Sequence, residues 1–253
     1  MKQERIDELT NVLRKLNTAN ISPELRREAL EIVKNIDPVE LSIAEQKLVD
    51  EGMNPNDLRH LCDIHMEDLK DELEKIKNSL EVGHVVNTLI VEHDKILEFL
   101  TRLEELNSEV QKLDSLKGNE QYIDELKATI DNIIAAEPHH KREEDVLFKE
   151  LENNEITGPT RIMRMEHDDL RAKKREIREL LNCIEYVPFD DFQERLQDLT
   201  SYLIFNLRDH IFKENTILYP TALESLKDIE LWEDMKKRCD EIGYCSFTPK
   251  EII

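Results

Sequence analysis

"EPHHKREEDVLF", Glu137 to Phe148, is the stretch on which the fold turns. Two adjacent histidines lead into dense charge, within a segment whose apolar residues recur at helical spacing. A second stretch, "HIFKENTILY" from His210 to Tyr219, repeats it: His139 falls on His210, Glu143 on Glu214, and Leu147-Phe148 on Leu218-Tyr219. Residues four apart on a helix lie about 40° apart, so each His-x-x-x-Glu aims an imidazole and a carboxylate the same way. The stripe Leu196, Leu199, Leu203, Leu207 runs into His210, Glu214 and Ile217, which places that pair on the core-facing side of its helix.

Two registers compete in the first stretch. Extending the phase of Leu126, Ile130 and Ile133 favours His140 with Glu144, whereas the internal repeat favours His139 with Glu143. Pro138 interrupts the hydrogen bonding just upstream, so the earlier phase need not carry through it. The repeat is the stronger guide. It leaves His140 turned about 100° away from His139, with His140 and Glu144 lying behind the ligands or on the surface.

Working outward, composition points to an all-α chain. Of 253 residues, 36% are charged and 5% aromatic, and only five are glycine, which leaves little for β-turns or aromatic-rich strands. A formal charge of −22 argues against a phosphate-neutralising nucleic-acid surface and against attraction to anionic membranes. No apolar run approaches a membrane span, and "MKQERIDELT" has no apolar core of a signal peptide. Cys62, Cys183, Cys239 and Cys245 are scattered without a Cys-x-x-Cys pair. This fits a reducing, cytoplasmic setting.

The pattern divides into three parts. Residues 1–80 read as a small bundle of short helices, punctuated by Ser22-Pro23, Asp37-Pro38 and Gly52. Residues 84–224 carry four long helical segments with modest connections, for which an up-down-up-down four-helix bundle is the economical topology. A short helix and tail, 225–253, come last. Each long segment holds one histidine in an apolar context: His93, His139 or His140, His167 and His210. Burying such groups is costly unless something pairs them. Four imidazoles and two carboxylates suffice for two metal ions. Iron suits this nitrogen and oxygen mixture, and manganese or zinc are admitted by the same donors.

The stretches "LIVEHDKILEFL", "HHKREEDVLF", "GPTRIMRMEHDDLR" and "HIFKENTILYP" resemble, in order, those of hemerythrin-like (HHE cation-binding) domains. The resemblance implies a non-haem di-iron centre, with His93, His139, His167 and His210 as terminal ligands and Glu143 and Glu214 bridging. It differs from the oxygen-carrying members, which have a second histidine where Arg171 stands and an aspartate where Glu214 stands. The four-His, two-Glu set is similar instead to di-iron proteins implicated in iron-sulfur-cluster repair and nitric-oxide response. The implied partners are O2, NO or peroxide, or damaged centres supplied with iron. Residues 1–80, through "LSIAEQKLVDEG" and "LCDIH", resemble a small uncharacterised helical domain that often precedes such bundles. A protein partner is expected if the iron site senses a ligand and that domain relays the change. Cys62 and His65, one turn apart, could bind metal, but no second Cys/His pair stands near to complete a site. They read as a buried cysteine and a packing or capping histidine, and His60 and His84 read as packing or capping histidines too.

Overall fold

The computed structural model describes residues 75–253, together with Thr10, Asn11, Arg14, Glu51 and Leu73. Most of the expected N-terminal bundle, with His60, Cys62 and His65, lies outside the described residues. Residues 75–79 are the helical end of its last segment. Among the described residues there is no strand, and the chain is all-α.

Helix α1, Val85–Val110, begins where Gly83 turns the chain at φ +86°, a conformation that a side chain would strain. His84 caps it, its Nδ1 accepting from the Val86 N–H at 3.2 Å while its ring packs on Trp232. The capping expectation for His84 is therefore met. Helix α2, Gln121–Ile134, stops two residues before α3, Glu137–Arg142, which carries Pro138 in its first turn. Proline disfavours helix in the residue before it and lacks a donor, so the phase of α2 ends here.

After α3 comes a π turn, Glu143–Leu147, and then α4, Phe148–Asn153. Helix α5 spans Gly158–Asn182 and α6 spans Phe189–Lys213. A second π turn, Glu214–Leu218, leads into α7, Tyr219–Ser225. Helix α8, Ile229–Ile242, is capped by Asp228 and packs on α1 and α3.

The long segments pack in a closed ring: α1 on α2, α2 on α5, α5 on α6 and α6 back on α1. Two apolar clusters fill the ring. One holds Leu100, Leu103, Leu126, Ile130, Leu170 and Leu196, and the other holds Leu89, Leu147, Phe148, Met163, Leu218 and Tyr219. Along α1 and α5 the chain runs from the second cluster to the first, and along α2–α3 and α6 from the first to the second. The directions therefore alternate up, down, up, down. In every segment the histidine sits at the crossing between the clusters, which sets four imidazoles at one level.

The π turns re-phase the helices just past that level. Each has a hydrogen bond spanning five residues, from Phe148 N–H to Glu143 C=O and from Tyr219 N–H to Glu214 C=O. Such a one-residue excess rotates the downstream helix, and π turns recur at functional sites. Ile217, expected on the core stripe, is only half-buried, while Leu218 and Tyr219 are fully buried in its stead.

Candidate metal centre

All six residues singled out by their spacing converge at the mid-level of the bundle and are at most 1% exposed. Ligand atoms of His93, His139, Glu143 and Glu214 lie within 4.8 Å of one another, as do those of His167, His210 and Glu214. Glu214 joins the two groups. Its Oε2 is 3.1 Å from His93 Nε2, and its Oε1 is 3.0 Å from His210 Nε2 and 3.5 Å from His167 Nε2. Glu143 Oε2 lies between His139 Nε2 at 3.4 Å and His167 Nε2 at 3.5 Å. The other oxygen of Glu143 is taken by the Tyr219 hydroxyl, which donates to it at 2.7 Å.

The opposite ring nitrogen of each histidine is held by a neighbouring helix. His139 Nδ1 meets Glu92 at 2.8 Å, His167 Nδ1 meets Glu144 at 2.7 Å, His210 Nδ1 meets Glu166 at 2.8 Å, and His93 Nδ1 meets Asn215 at 2.9 Å. These contacts form a cycle: α1 holds α3, the first π turn holds α5, α5 holds α6, and the second π turn holds α1. The carboxylates are anchored in turn. Arg142 donates to Glu92 at 2.6 Å, Arg171 to Glu144 at 2.9 Å, and Lys213 pairs with Glu166. Thr248, from the C-terminal tail, donates to Glu92 at 2.5 Å. With Nδ1 committed, each Nε2 turns inward, which is how metal-binding imidazoles are oriented.

Sequence reasoning did not single out Glu92, Glu166, Asn215 or Tyr219. A signal was there: Glu-His-Asp occurs at 92–94 and again at 166–168, and each glutamate holds a histidine of the next helix. The two registers of "HHKREE" are now distinct. His139 Nε2 points into the group with His93, Glu143 and Glu214, and Glu144 stands behind His167. His140 is not on the surface. It is 2% exposed and its ring stacks on that of His167 at 4.2 Å.

Glu143 Oε2, Glu214 Oε1, His167 Nε2 and His210 Nε2 are buried and crowd to 3.0–3.5 Å of one another, yet none meets a partner in hydrogen-bonding geometry. Unpaired polar atoms at such depth are expensive. Four of them facing one centre, all good donors to a cation, fit a metal pair. Their mixture of imidazole nitrogen and carboxylate oxygen suits iron, manganese or zinc.

The charges respond to this crowding. Burial, and then the neighbouring Glu214, pushes Glu143 well above the usual carboxylate range. Glu214 is held well below it, because His210 and the other imidazoles outweigh the cost of burial. Two carboxylates sharing a site part in this way, one protonated and one ionised. Burial lowers His139 to about 4, against the pull of Glu92. His210 is raised to about 9, Glu214 and Glu166 overcoming burial.

Bundle and site together define a helical metal-binding protein with a histidine–carboxylate centre. Residues 84–222 match the hemerythrin HHE cation-binding domain, and the chain belongs to that family. Residues 9–75 match a family of unknown function, DUF438. No curated protein matches the chain. No helix among the described residues is long and apolar enough to cross a membrane.

Proposed function

We propose that the chain is a non-haem di-iron protein that binds a small ligand, O2, NO or peroxide, at an open position of the metal pair, or hands its iron to damaged centres. The observation that carries this reading is the set of orphaned donor atoms on Glu143, Glu214, His167 and His210, buried and facing one centre. His93, His139, Glu143 and Glu214 would hold one ion. His167, His210 and Glu214 would hold the second, with Glu143 Oε2 within reach of both. When bound, the ions supply Lewis acidity and one-electron chemistry. The residues do the rest: carboxylates on Nδ1 orient the imidazoles, and the two apolar clusters exclude water above and below.

Anaerobic reconstitution with ferrous iron, followed by metal analysis and the ultraviolet-visible spectrum before and after oxygen or nitric oxide, tests the reading. Bound iron and a spectrum that responds to either gas are expected. A chain that takes up no iron sinks it. His139→Ala should remove metal and His140→Ala should largely keep it, which tests the register in the same assay.

A second reading, a sensor that signals to a protein partner, draws support from the tail. Thr248 and Arg142 both grip Glu92, the residue that orients His139, and the Arg142 guanidinium lies over the Tyr244 ring. A shift at His139 would thus reach residues 244–248. For the chain as a whole, residues 1–80 would form the relaying unit, 84–224 the metal bundle and 225–253 the tail. Limited proteolysis of the reduced and the oxidised iron forms should then differ in the tail, and an identical cleavage pattern counts against it.

A further inference from the structure

The Nδ1 partners of the four histidines fall into two pairs by their exposure. Glu92, behind His139, is fully buried, and Asn215, behind His93, is 5% exposed. Glu144, behind His167, and Glu166, behind His210, keep side chains 19% and 29% exposed. The outer side of the His93–His139 group is therefore closed, whereas that of the His167–His210 group meets solvent.

Glu92 is covered by the C-terminal tail, which lies beyond the matched domain of residues 84–222. Gly243, at φ +88°, ends α8 and turns the chain back, a conformation that glycine adopts freely. A tight turn follows, with the Thr248 N–H donating to the Cys245 C=O at 3.0 Å. The turn is fixed at several points. The Arg142 guanidinium lies 4.7 Å from the Tyr244 ring centre, and its Nη2 is 3.9 Å from Cys245 Sγ. Phe247 meets Phe99 edge-on at 5.2 Å, and the Thr88 hydroxyl donates to the Ile252 C=O at 3.4 Å.

The Glu92 carboxylate is thereby filled from three elements. Its Oε2 faces His139 Nδ1 at 2.8 Å, and its Oε1 accepts from the Thr248 hydroxyl at 2.5 Å. Arg142 Nη2 donates to both oxygens, at 2.6 and 2.7 Å. A carboxylate this deep keeps its place and its charge only while such donors surround it. Glu166 is built differently. It meets His210 and Lys213, both inside the matched domain, and its exposed edge is left to water.

We propose that Thr248 is a positioning residue of the metal centre, and that the turn Tyr244–Thr248 is a strap that retains metal at the His93–His139 position. While the strap is closed, Glu92 holds the His139 ring with Nε2 inward. When it lifts, water enters behind Glu92 and the ring is free to turn away. The inference rests on the di-metal reading above and concerns how metal is kept, not which ligand it binds.

The test uses the full chain, reconstituted anaerobically with ferrous iron, and a chromophoric ferrous chelator that reads the rate at which iron leaves. The parent is compared with Thr248→Val, Thr248→Ser and Glu166→Gln, with metal content and thermal unfolding read on each. The parent should release its iron in two phases, the slower from the His93–His139 position. Thr248→Val should speed the slow phase about tenfold, the lower end of the usual cost of disturbing the groups behind a metal-binding histidine. It should leave the fast phase unchanged. Thr248→Ser, which keeps the hydroxyl, should release iron like the parent, and Glu166→Gln should speed the fast phase alone. An unchanged slow phase in Thr248→Val overturns the strap and leaves the metal reading standing. Equal acceleration of both phases with a lowered unfolding midpoint does the same, as does single-phase release from the parent. A parent that takes up no iron overturns both.

Discussion

The surroundings of His93 and of His167 are built on one plan and differ in charge. On α1, His93 is held by the neutral amide of Asn215, with Leu97 one turn further along. On α5, His167 is held by the Glu144 carboxylate, which Arg171, the counterpart of Leu97, anchors. Leu100 faces the core on α1 where Lys174 stands on α5. The aromatic residue after each π turn differs in the same way. Phe148 stacks on His167 at 5.8 Å, and Tyr219 stacks on His93 at 5.5 Å while donating to Glu143. The scaffold thus repeats the geometry of ligation and varies its electrostatics. A carboxylate behind an imidazole makes it a stronger base than an amide does, so the two groups of inward-facing donors are chemically unequal.

The sharpest way to break the comparison is to remove its shared member. Glu214 reaches both groups with separate oxygens, whereas Glu143 has one oxygen committed to Tyr219. Glu214→Ala should lose both ions, and Glu143→Ala should keep metal at the His167–His210 position; metal analysis after desalting distinguishes them. Equal losses would mean that the carboxylates are equivalent.

The groups behind the histidines come next in size. Glu166→Gln should weaken metal binding by about 10–100-fold, the usual cost of losing such an anchor. Asn215→Ala, on the neutral side, should cost less. Competition with a chromophoric chelator measures both, and a larger loss for Asn215→Ala would reverse the assignment of charged and neutral sides.

Lys174 offers a smaller effect with a definite sign. Its folded-state value of about 8 lies below its ordinary 10.5. A base depressed in the fold destabilises it fully below the lower value and ceases to do so above the upper one. Lys174→Met should therefore stabilise the metal-free protein by about 1–3 kcal/mol near neutral pH. The gain should shrink as pH rises from 8 through 10.5. Urea unfolding across that window checks it, and a gain independent of pH would point to packing alone.

Tyr219→Phe makes the two aromatic positions alike. It frees one Glu143 oxygen in a buried place, so a loss of about 1–2 kcal/mol in stability is expected with metal content unchanged. Loss of metal in this variant would make the hydroxyl part of the ligand set.

Much of this was legible along the chain because a helix turns linear spacing into direction. His139 with Glu143, and His210 with Glu214, had to project together, and their repetition pointed to His139 over His140 across the break at Pro138. The four-histidine level followed from finding each histidine between apolar runs. Less was legible where contacts cross between helices. That Glu92 serves His139 rather than its neighbour His93 depends on how α1 and α3 face each other. The burial of Leu218 and Tyr219 at the expense of Ile217 depends on a π turn that no local preference announces.

The amino-acid order by itself determined an all-α bundle and the shared inward direction of His139 with Glu143 and of His210 with Glu214, since helical period and the cost of burying unpaired polar groups act through local spacing. Only the tertiary structure decided which oxygen of each glutamate faces which histidine, how the Nδ1 partners close into a cycle, and that His140 and Lys174 lie inside rather than at the surface. Those outcomes are set by helix rotation and packing, which bring together side chains that no fixed interval in sequence relates.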